Sequence, residues 1–405
     1  MINIAVLGYG TIGSGVVEVI DINGDSIAEK LDEEVNVKYV LDLKKFPGDS
    51  IMEKLVDDFN IILEDSEVEI IVETMGGIEP AYTFAKKALL AGKSVVTSNK
   101  ELVADHGAEL IEIAREKNVN FLFGASVGGG IPIIRPMNQA LTADKIEEIT
   151  GILNGTTNYI LTMMSEEGLE FETALKNAQD MGYAERDPSA DVDGFDACRK
   201  IAILTSLAYG KQVDFEDIHT EGIRNISSRD FKYANALGAR IKLLASSMRD
   251  DKGDVYAIVA PAMIKEDNPL YGVRDVFNSI LAKGNVAGDL MFYGSGAGKL
   301  PTASAVVADV IDIAKHPGKN IKMIWDKEKL QLADIKQFKH RFFVRVSQDD
   351  KVMDQIKSLF GDVEIVRLEN KTDEFAFITS SITEEEIKTK CEQIYNVKNY
   401  IRVRY

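Results

Sequence analysis

Apolar positions in the first third of the chain fall into two alternating kinds of run. Short stretches at Ile2–Leu7, Val35–Leu41, 69–73, Ser94–Thr97 and 119–123 have the length and β-branched content of buried strands. Between the later ones, 79–91 and 101–117 space their apolar residues three and four apart, as amphipathic helices do. Val16, Val17, Val19 and Ile20 repeat that spacing after a glycine-rich turn. Strand and helix in alternation predict a parallel sheet with helices on both faces. Glycine and proline then gather in 124–132 and close this region.

From Asp144 the pattern changes. A strand is predicted at 149–154, then helices over 156–166, 171–181 and 193–208. Strands near 255–262 and 285–293 suggest a mixed sheet covered on one face, and 301–314 reads as a helix returning toward the first region. Residues 315–338 are polar and read as a linker. Beyond them, strand 341–347, helix 352–360, strands 363–368 and 374–379, helix 384–395 and strand 400–403 give βαββαβ, the order of a ferredoxin-like unit. The expected fold is therefore α/β: a Rossmann-type parallel sheet, a central α+β region with a mixed sheet, and a ferredoxin-like C-terminal unit. The expected divisions are 1–135, closed by the helix near 301–314, then 136–314, the linker 315–338, and 339–405.

Composition narrows the function classes. The 405 residues carry a net charge of −18, which disfavours nucleic acid and anionic membrane as partners. No apolar run approaches the roughly 18 residues that span a bilayer. A strand starting at Ile2 leaves no space for a leader, so the expectation is cytoplasmic. Cys198 and Cys391 are far apart, and His106, His219, His316 and His340 show no ligand spacing, so neither a disulfide framework nor a cysteine–histidine metal centre is expected.

Chemistry concentrates in a few places. Gly8-Tyr9-Gly10-Thr11-Ile12-Gly13 lies between a strand and a helix. Gly8 permits the turn, Gly10 lets a pyrophosphate approach the backbone, and Gly13 lets helix and strand pack. Asp42, with Lys44 and Lys45, follows the second strand, where an acid holds the ribose of NAD and a base the 2′-phosphate of NADP; both signs leave that choice open. Thr74, before Gly76 and Gly77, and Ser98-Asn99-Lys100 follow later strands at the same sheet edge, where ligands of open α/β sheets lie. The block from Gly182 to Lys200 is dense in carboxylates, including Glu185, Asp191 and Asp196, and runs into an apolar helix. Asp196 and Lys200 are four apart and share a helix face. That combination suits gripping an amine and moving a proton, although a plain surface ion pair is the common outcome of such spacing. The glycine run Ala125-Ser-Val-Gly-Gly-Gly-Ile131-Pro offers backbone oxygens of the kind hard cations accept.

Taken in order, these segments resemble homoserine dehydrogenases over about residues 1–315: the turn from Gly8, Thr97-Ser-Asn-Lys-Glu101, Ala125 to Ile134, Gly151-Ile-Leu-Asn-Gly-Thr-Thr-Asn-Tyr-Ile160, the Gly182–Lys200 block, and Gly294-Ser-Gly-Ala-Gly-Lys-Leu-Pro-Thr302. The C-terminal unit resembles an ACT domain more weakly. The resemblance implies NAD(P)-dependent interconversion of L-homoserine and L-aspartate 4-semialdehyde, a step toward threonine, methionine and isoleucine, by a cytoplasmic homodimer or higher homo-oligomer whose central domain carries catalysis and dimerisation. It implies Lys200 as proton donor, Asp196 holding substrate and lysine, Lys100 bridging cofactor and substrate, Glu185 taking the substrate ammonium, and Thr156 and Asp191 orienting the substrate. Gly182, Gly296 and Gly298 would close over the nicotinamide. The carbonyls of Val127, Gly129 and Ile131, with Gly124 as a further position, would hold a monovalent cation, commonly sodium.

The chain departs from the family pattern in three places. Leu41 stands where many relatives have an arginine for the 2′-phosphate, Gly124 where a glutamate often begins the cation loop, and the 347–352 turn lacks the glycine of ligand-binding ACT units. Two other readings fit parts of the chain: another amino-acid dehydrogenase on this scaffold, which would change the carboxylate block, and a nicotinamide-sensing ACT regulator, which would need a basic DNA-binding face.

Overall fold

A computed structural model describes residues 1–349, 351–369 and 372–405, so Asp350 of the 347–352 turn lies outside the described residues. Ile2–Leu7 (β1) buries every residue but Asn3 and takes the centre of a six-stranded sheet. Its companions are Val35–Leu41 (β2), Leu55–Val56 (β3), Val68–Glu73 (β4), Ser94–Thr97 (β5) and Phe121–Leu122 (β6), in the order β3-β2-β1-β4-β5-β6. All pairs are parallel, so strands buried on both faces explain the continuous apolar runs. The order reverses between β1 and β4, and the segments after these two strands, at Gly8 and Thr74, flank the crevice where such sheets bind ligands. Helices Thr11–Leu31, Ala81–Leu90, Lys100–Glu116 and Lys299–Ala314 belong to this part. The last packs against the first at Gly15, where a Cβ would stand 3.0 Å from Ala303.

The chain continues through Ile146–Ile152 (β7), Lys211–Gln212 (β8), His219–Thr220 (β9), Ala239–Arg249 (β10), Val255–Lys265 (β11), Phe277–Gly284 (β12), Gly288–Ser295 (β13), Asp326–Lys329 (β14), Lys339–Ser347 (β15), Glu364–Val366 (β16), Glu374–Ile378 (β17), Ile382–Thr383 (β18) and Val397–Val403 (β19). Contacts group the chain into two compact units: 1–146 with 202–215 and 292–330, and 147–201 with 216–291 and 331–405.

The second unit is built on one mixed sheet whose main path is β13-β12-β7-β10-β11-β19-β15-β17-β16. Its spine is the β10–β11 hairpin, in unbroken register from Ala239↔Lys265 to Arg249↔Val255. The C-terminal strands join by parallel pairing of β11 with β19 at Ala262↔Arg402 and Met263↔Val403. Strands β15, β16, β17 and β19 with helices Val352–Phe360 and Glu384–Cys391 have the βαββαβ order, with the short β18 added. They close over a core that includes Phe342, Val344, Ile356, Phe375, Phe377 and Ile387.

Buried and half-buried ion pairs reinforce that junction. Arg345 reaches Asp230 at 2.9 Å and Glu374 at 2.9 Å. Arg402 lies between Glu221 at 2.7 Å and Glu384 at 2.6 Å. Arg404 bonds Ser246 at 2.8 Å and pairs with Glu148. Arg402 holds the Glu221 carboxyl down to about 2 against the opposing effect of burial.

Some elements differ from the sequence expectation. The strands β10 and β12 and the helix Ser228–Ala236 were not anticipated. The strand expected over 285–293 straddles the β12–β13 turn instead. The expected linker 315–338 is partly folded: Trp325 is buried, its ring 3.1 Å from where a Cβ on Gly107 would lie, and its Nε1 donates to Gln212 at 3.0 Å. Among the described residues no helix is long and apolar enough to cross a membrane.

Candidate active site

The glycine turn after β1 has three positions with different jobs. Gly8 has φ +92°, a backbone conformation that favours glycine. A Cβ on Gly13 would fall 1.8 Å from the Gly8 carbonyl oxygen and 2.9 Å from Thr74 Oγ1, so helix and strand meet only because it is absent. Gly10 would meet nothing within 4 Å, which leaves open space in front of the N-terminus of a helix of 21 residues. Thr11 and Ile12 begin that helix, and Gly10 precedes it. Unsatisfied N–H groups and the helix dipole suit a phosphate there. Thr74 fastens the turn from the neighbouring strand, its hydroxyl donating to the carbonyls of Leu7 and Gly8 at 3.0 Å each.

Asp42 directly follows β2. Its carboxylate accepts from the Tyr9 N–H at 2.8 Å and the Lys44 N–H at 2.9 Å, so the acid stands against the glycine turn. Lys44 is exposed. Leu41, by contrast, is buried at the end of β2, at 6% exposure. The exposed neighbour is Leu43, at 85%.

Thr74 and Lys100 lie on two loops tied together by a carboxylate the sequence reading passed over. Glu73 ends β4, fully buried. It accepts from Thr97 Oγ1 at 2.5 Å and the Met75 N–H at 2.7 Å. Burial pushes its carboxyl above the usual range, opposed by bonds from Thr97, Met75, Gly76 and Asn99. Thr97 Oγ1 in turn accepts the Asn99 N–H at 2.9 Å. The Asn99 side chain donates to the Gly77 carbonyl at 2.5 Å and accepts from the N–H groups of Glu101 and Leu102, at 3.1 Å each, capping the helix that Lys100 begins. Ser98 sits between Thr97 and this cap, partly buried.

In the second unit, Asp196 and Lys200 occupy the first turns of the helix Phe195–Tyr209. Lys200 Nζ donates to Asp196 Oδ2 at 2.7 Å and to the Leu153 carbonyl at 2.8 Å. Asn154 completes the cluster. Its amide donates to Asp191 at 2.7 Å and Asp196 at 2.8 Å, while its carbonyl oxygen accepts from the Thr157 N–H at 2.8 Å as the cap of helix Gly155–Glu166. Sequence reasoning quoted Asn154 within a motif but gave it no role; an asparagine just ahead of a helix was the available signal. The structure thus brings together Asp191, Asp196 and Lys200 through Asn154. Thr156 Oγ1 donates to the Tyr183 carbonyl at 2.6 Å, fixing the loop that carries Glu185. Glu185 is exposed and enters none of these bonds; Gly182, φ +75°, ends the helix before it.

The glycine run forms a short 3-10 turn at Gly124–Ser126 and then a reversal at Gly128 (φ +76°) and Gly129 (φ +52°). The Gly130 N–H donates to the Ser295 carbonyl at 3.1 Å, and a Cβ on Gly129 would stand 2.6 Å from the Gly296 carbonyl oxygen, so this loop and the turn at Gly296 are packed backbone to backbone. Gly298, φ +120°, precedes the next helix. The Ile131 carbonyl already accepts the Ile133 N–H at 2.9 Å. A side chain at 124 would meet the Asp309 carboxylate at 2.8 Å; that carboxylate accepts the Gly124 N–H at 2.6 Å and Arg135 at 2.7 Å, with burial raising it to about 6. Among the described residues no cluster of histidine, cysteine, aspartate or glutamate side chains could hold a metal ion. The neutral oxygens of Val127, Gly129 and Ile131 fit the donor chemistry of a weakly charged hard cation.

Known proteins bear on the two halves. A family model described as homoserine dehydrogenase matches residues 132–311, and one described as homoserine dehydrogenase, NAD binding domain, matches 8–124. A homoserine dehydrogenase of Synechocystis is 47% identical over 320 residues, covering 77% of this chain and 73% of that protein. One of Corynebacterium glutamicum is 37% identical over 412 residues, covering 96% and 92%. A crystal structure of a homoserine dehydrogenase from Thiobacillus denitrificans superposes with a TM-score of 0.90 at 33% identity, covering 100% of this chain and 98% of that one.

Proposed function

Since the chain belongs to the homoserine dehydrogenase family, we propose that it catalyses the reversible, NAD(P)-dependent interconversion of L-homoserine and L-aspartate 4-semialdehyde. The observation that carries the assignment of roles is the Lys200 ammonium, with two of its three donors committed to Asp196 and the Leu153 carbonyl. The third N–H is left for a substrate oxygen.

The bound nicotinamide supplies or accepts the hydride. Lys200 stabilises the alkoxide that develops when the aldehyde is reduced and gives it a proton; in the oxidative direction it takes that proton back. Asp196 keeps the ammonium aimed. Glu185 receives the substrate ammonium, and Thr156 and Asp191 orient the substrate. Because the distance from amino group to reacting carbon is fixed in the substrate, gripping one end sets the other. Gly8, Gly10, Thr11, Ile12 and Gly13 hold the pyrophosphate, Asp42 and Lys44 the adenosine ribose edge, and Thr74, Ser98, Lys100, Gly182, Gly296 and Gly298 the nicotinamide end. A monovalent cation, sodium, would be held by the carbonyls of Val127, Gly129 and Ile131, with Gly124 at the head of the loop, and would brace that backbone rather than take part in hydride transfer.

The remaining organisation follows the same reading. Residues 1–135 bind nucleotide, 136–314 bind substrate and dimerise, and 339–405 form an ACT-like unit; the family matches at 8–124 and 132–311 support the first two boundaries. Strand β13 ends the sheet path and exposes Met291 and Tyr293, which supports pairing into a homodimer. The deciding measurement is absorbance at the nicotinamide band with L-homoserine and each oxidised cofactor, on wild type and Lys200→Ala. Loss of one general acid costs about 10²–10⁴ in rate, with cofactor affinity kept. Wild type without turnover, or Lys200→Ala with normal kcat, would overturn the assignment.

A further inference from the structure

Glu73 is fully buried at the end of β4, yet no step of the reaction uses it. Its two oxygens serve different loops. One accepts the Met75 N–H and so shapes the segment after β4; the other accepts the Thr97 hydroxyl at the end of β5. That second bond sets a direction. Thr97 Oγ1 receives the Asn99 N–H, so its own hydrogen must leave on another side, and Glu73 is the acceptor it finds. Asn99 is then held at both ends, by Thr97 and by the Gly77 carbonyl, and Lys100 is the next residue.

The geometry points to Glu73 as a positioning residue for Lys100: through Thr97 and Asn99 it fixes where the Lys100 backbone leaves β5, and hence where its ammonium is delivered. This rests on the reading above that Lys100 serves the reaction. A carboxylate is the side chain the position calls for, because Thr97 and Met75, like Gly76 and Asn99 beside them, all present donors to it. In a glutamine, the oxygen can satisfy either Thr97 or Met75. The amide hydrogens then oppose the other N–H or strand the threonine hydrogen, so one bond is lost in either orientation. The volume is unchanged, and Tm reports whatever the lost bond costs the fold.

The test is a double-mutant cycle on the full chain: Glu73→Gln, Lys100→Ala and the pair, with kcat, KM for homoserine, cofactor Kd and Tm measured for each. Misplacing a group by about an ångström costs up to about 10²-fold, so Glu73→Gln lowers kcat by roughly tenfold to a hundredfold and changes cofactor Kd little. In the Lys100→Ala background the same change costs almost nothing further. Thr97→Val, which removes the bridging hydroxyl and keeps the shape, reproduces the loss and adds nothing to Glu73→Gln; it also serves if the glutamine variant fails to fold. Equal losses with and without Lys100 would show that Glu73 only supports the fold and would overturn the inference. A Lys100→Ala enzyme with normal kcat would instead remove Lys100 from the reaction, and this role of Glu73 with it.

Discussion

Asn154 does two things that a single substitution separates. It caps the helix Gly155–Glu166 with its oxygen and joins Asp191 to Asp196 with its amide. Asn154→Asp keeps a good cap, so the start of that helix is preserved. The new carboxylate faces two others and loses both donations, so KM for homoserine rises and kcat falls. A fall in Tm with unchanged kinetics would show a cap and nothing more. At the ribose edge, Leu43→Arg should move the NADP/NAD ratio of kcat/KM toward NADP by roughly tenfold to a hundredfold, the worth of a charge-assisted bond. Coinciding ratios in wild type and Leu43→Arg would place 2′ recognition elsewhere. Residues whose chemistry is written in local spacing were legible: Asp196 with Lys200, and the three glycines after β1. Glu73 and Asn154 were not, since each matters only through partners far along the chain: Thr97 for one, Asp191 and Asp196 for the other.

Among elements, the glycine turn offers the sharpest contrast. Gly10→Ala adds a methyl group to open space at φ −79°, an ordinary conformation. Its Tm should be close to wild type while NADPH affinity, read by fluorescence titration, falls at least tenfold. Gly13→Ala cannot be accommodated without moving β1 from its helix, and both Tm and affinity should drop. If Gly10→Ala binds NADPH normally, the pyrophosphate does not lie over that backbone. The alternation of strand and helix made the parallel sheet readable because each strand is short and bounded. β10 was hidden for the opposite reason. It is buried over most of its length on both faces, so no period of two marks it, and its apolar run passes equally well for a helix.

At the scale of the molecule, the C-terminal segment is part of the sheet rather than an appendage to it. Removing residues 331–405 would uncover the β11 edge and leave Glu148, Glu221 and Asp230 without Arg404, Arg402 and Arg345. The truncated chain should therefore aggregate or unfold at ambient temperature, as size-exclusion chromatography and thermal melts would reveal. A soluble, cooperatively melting, active truncation would show that the junction is dispensable. The parallel β11–β19 contact also imposes an order in time. During synthesis β11 leaves the ribosome long before β19; β9, already made, pairs with it at Ile258 and Val259, but Ala262 and Met263 have to wait for β19. That end of the nascent β11 edge therefore waits unpaired, a template for intermolecular pairing. Yield in the cell then depends on how fast translation finishes the chain: slow codons between β11 and β19 prolong that exposure, and chaperones that shield open sheet edges shorten its consequences.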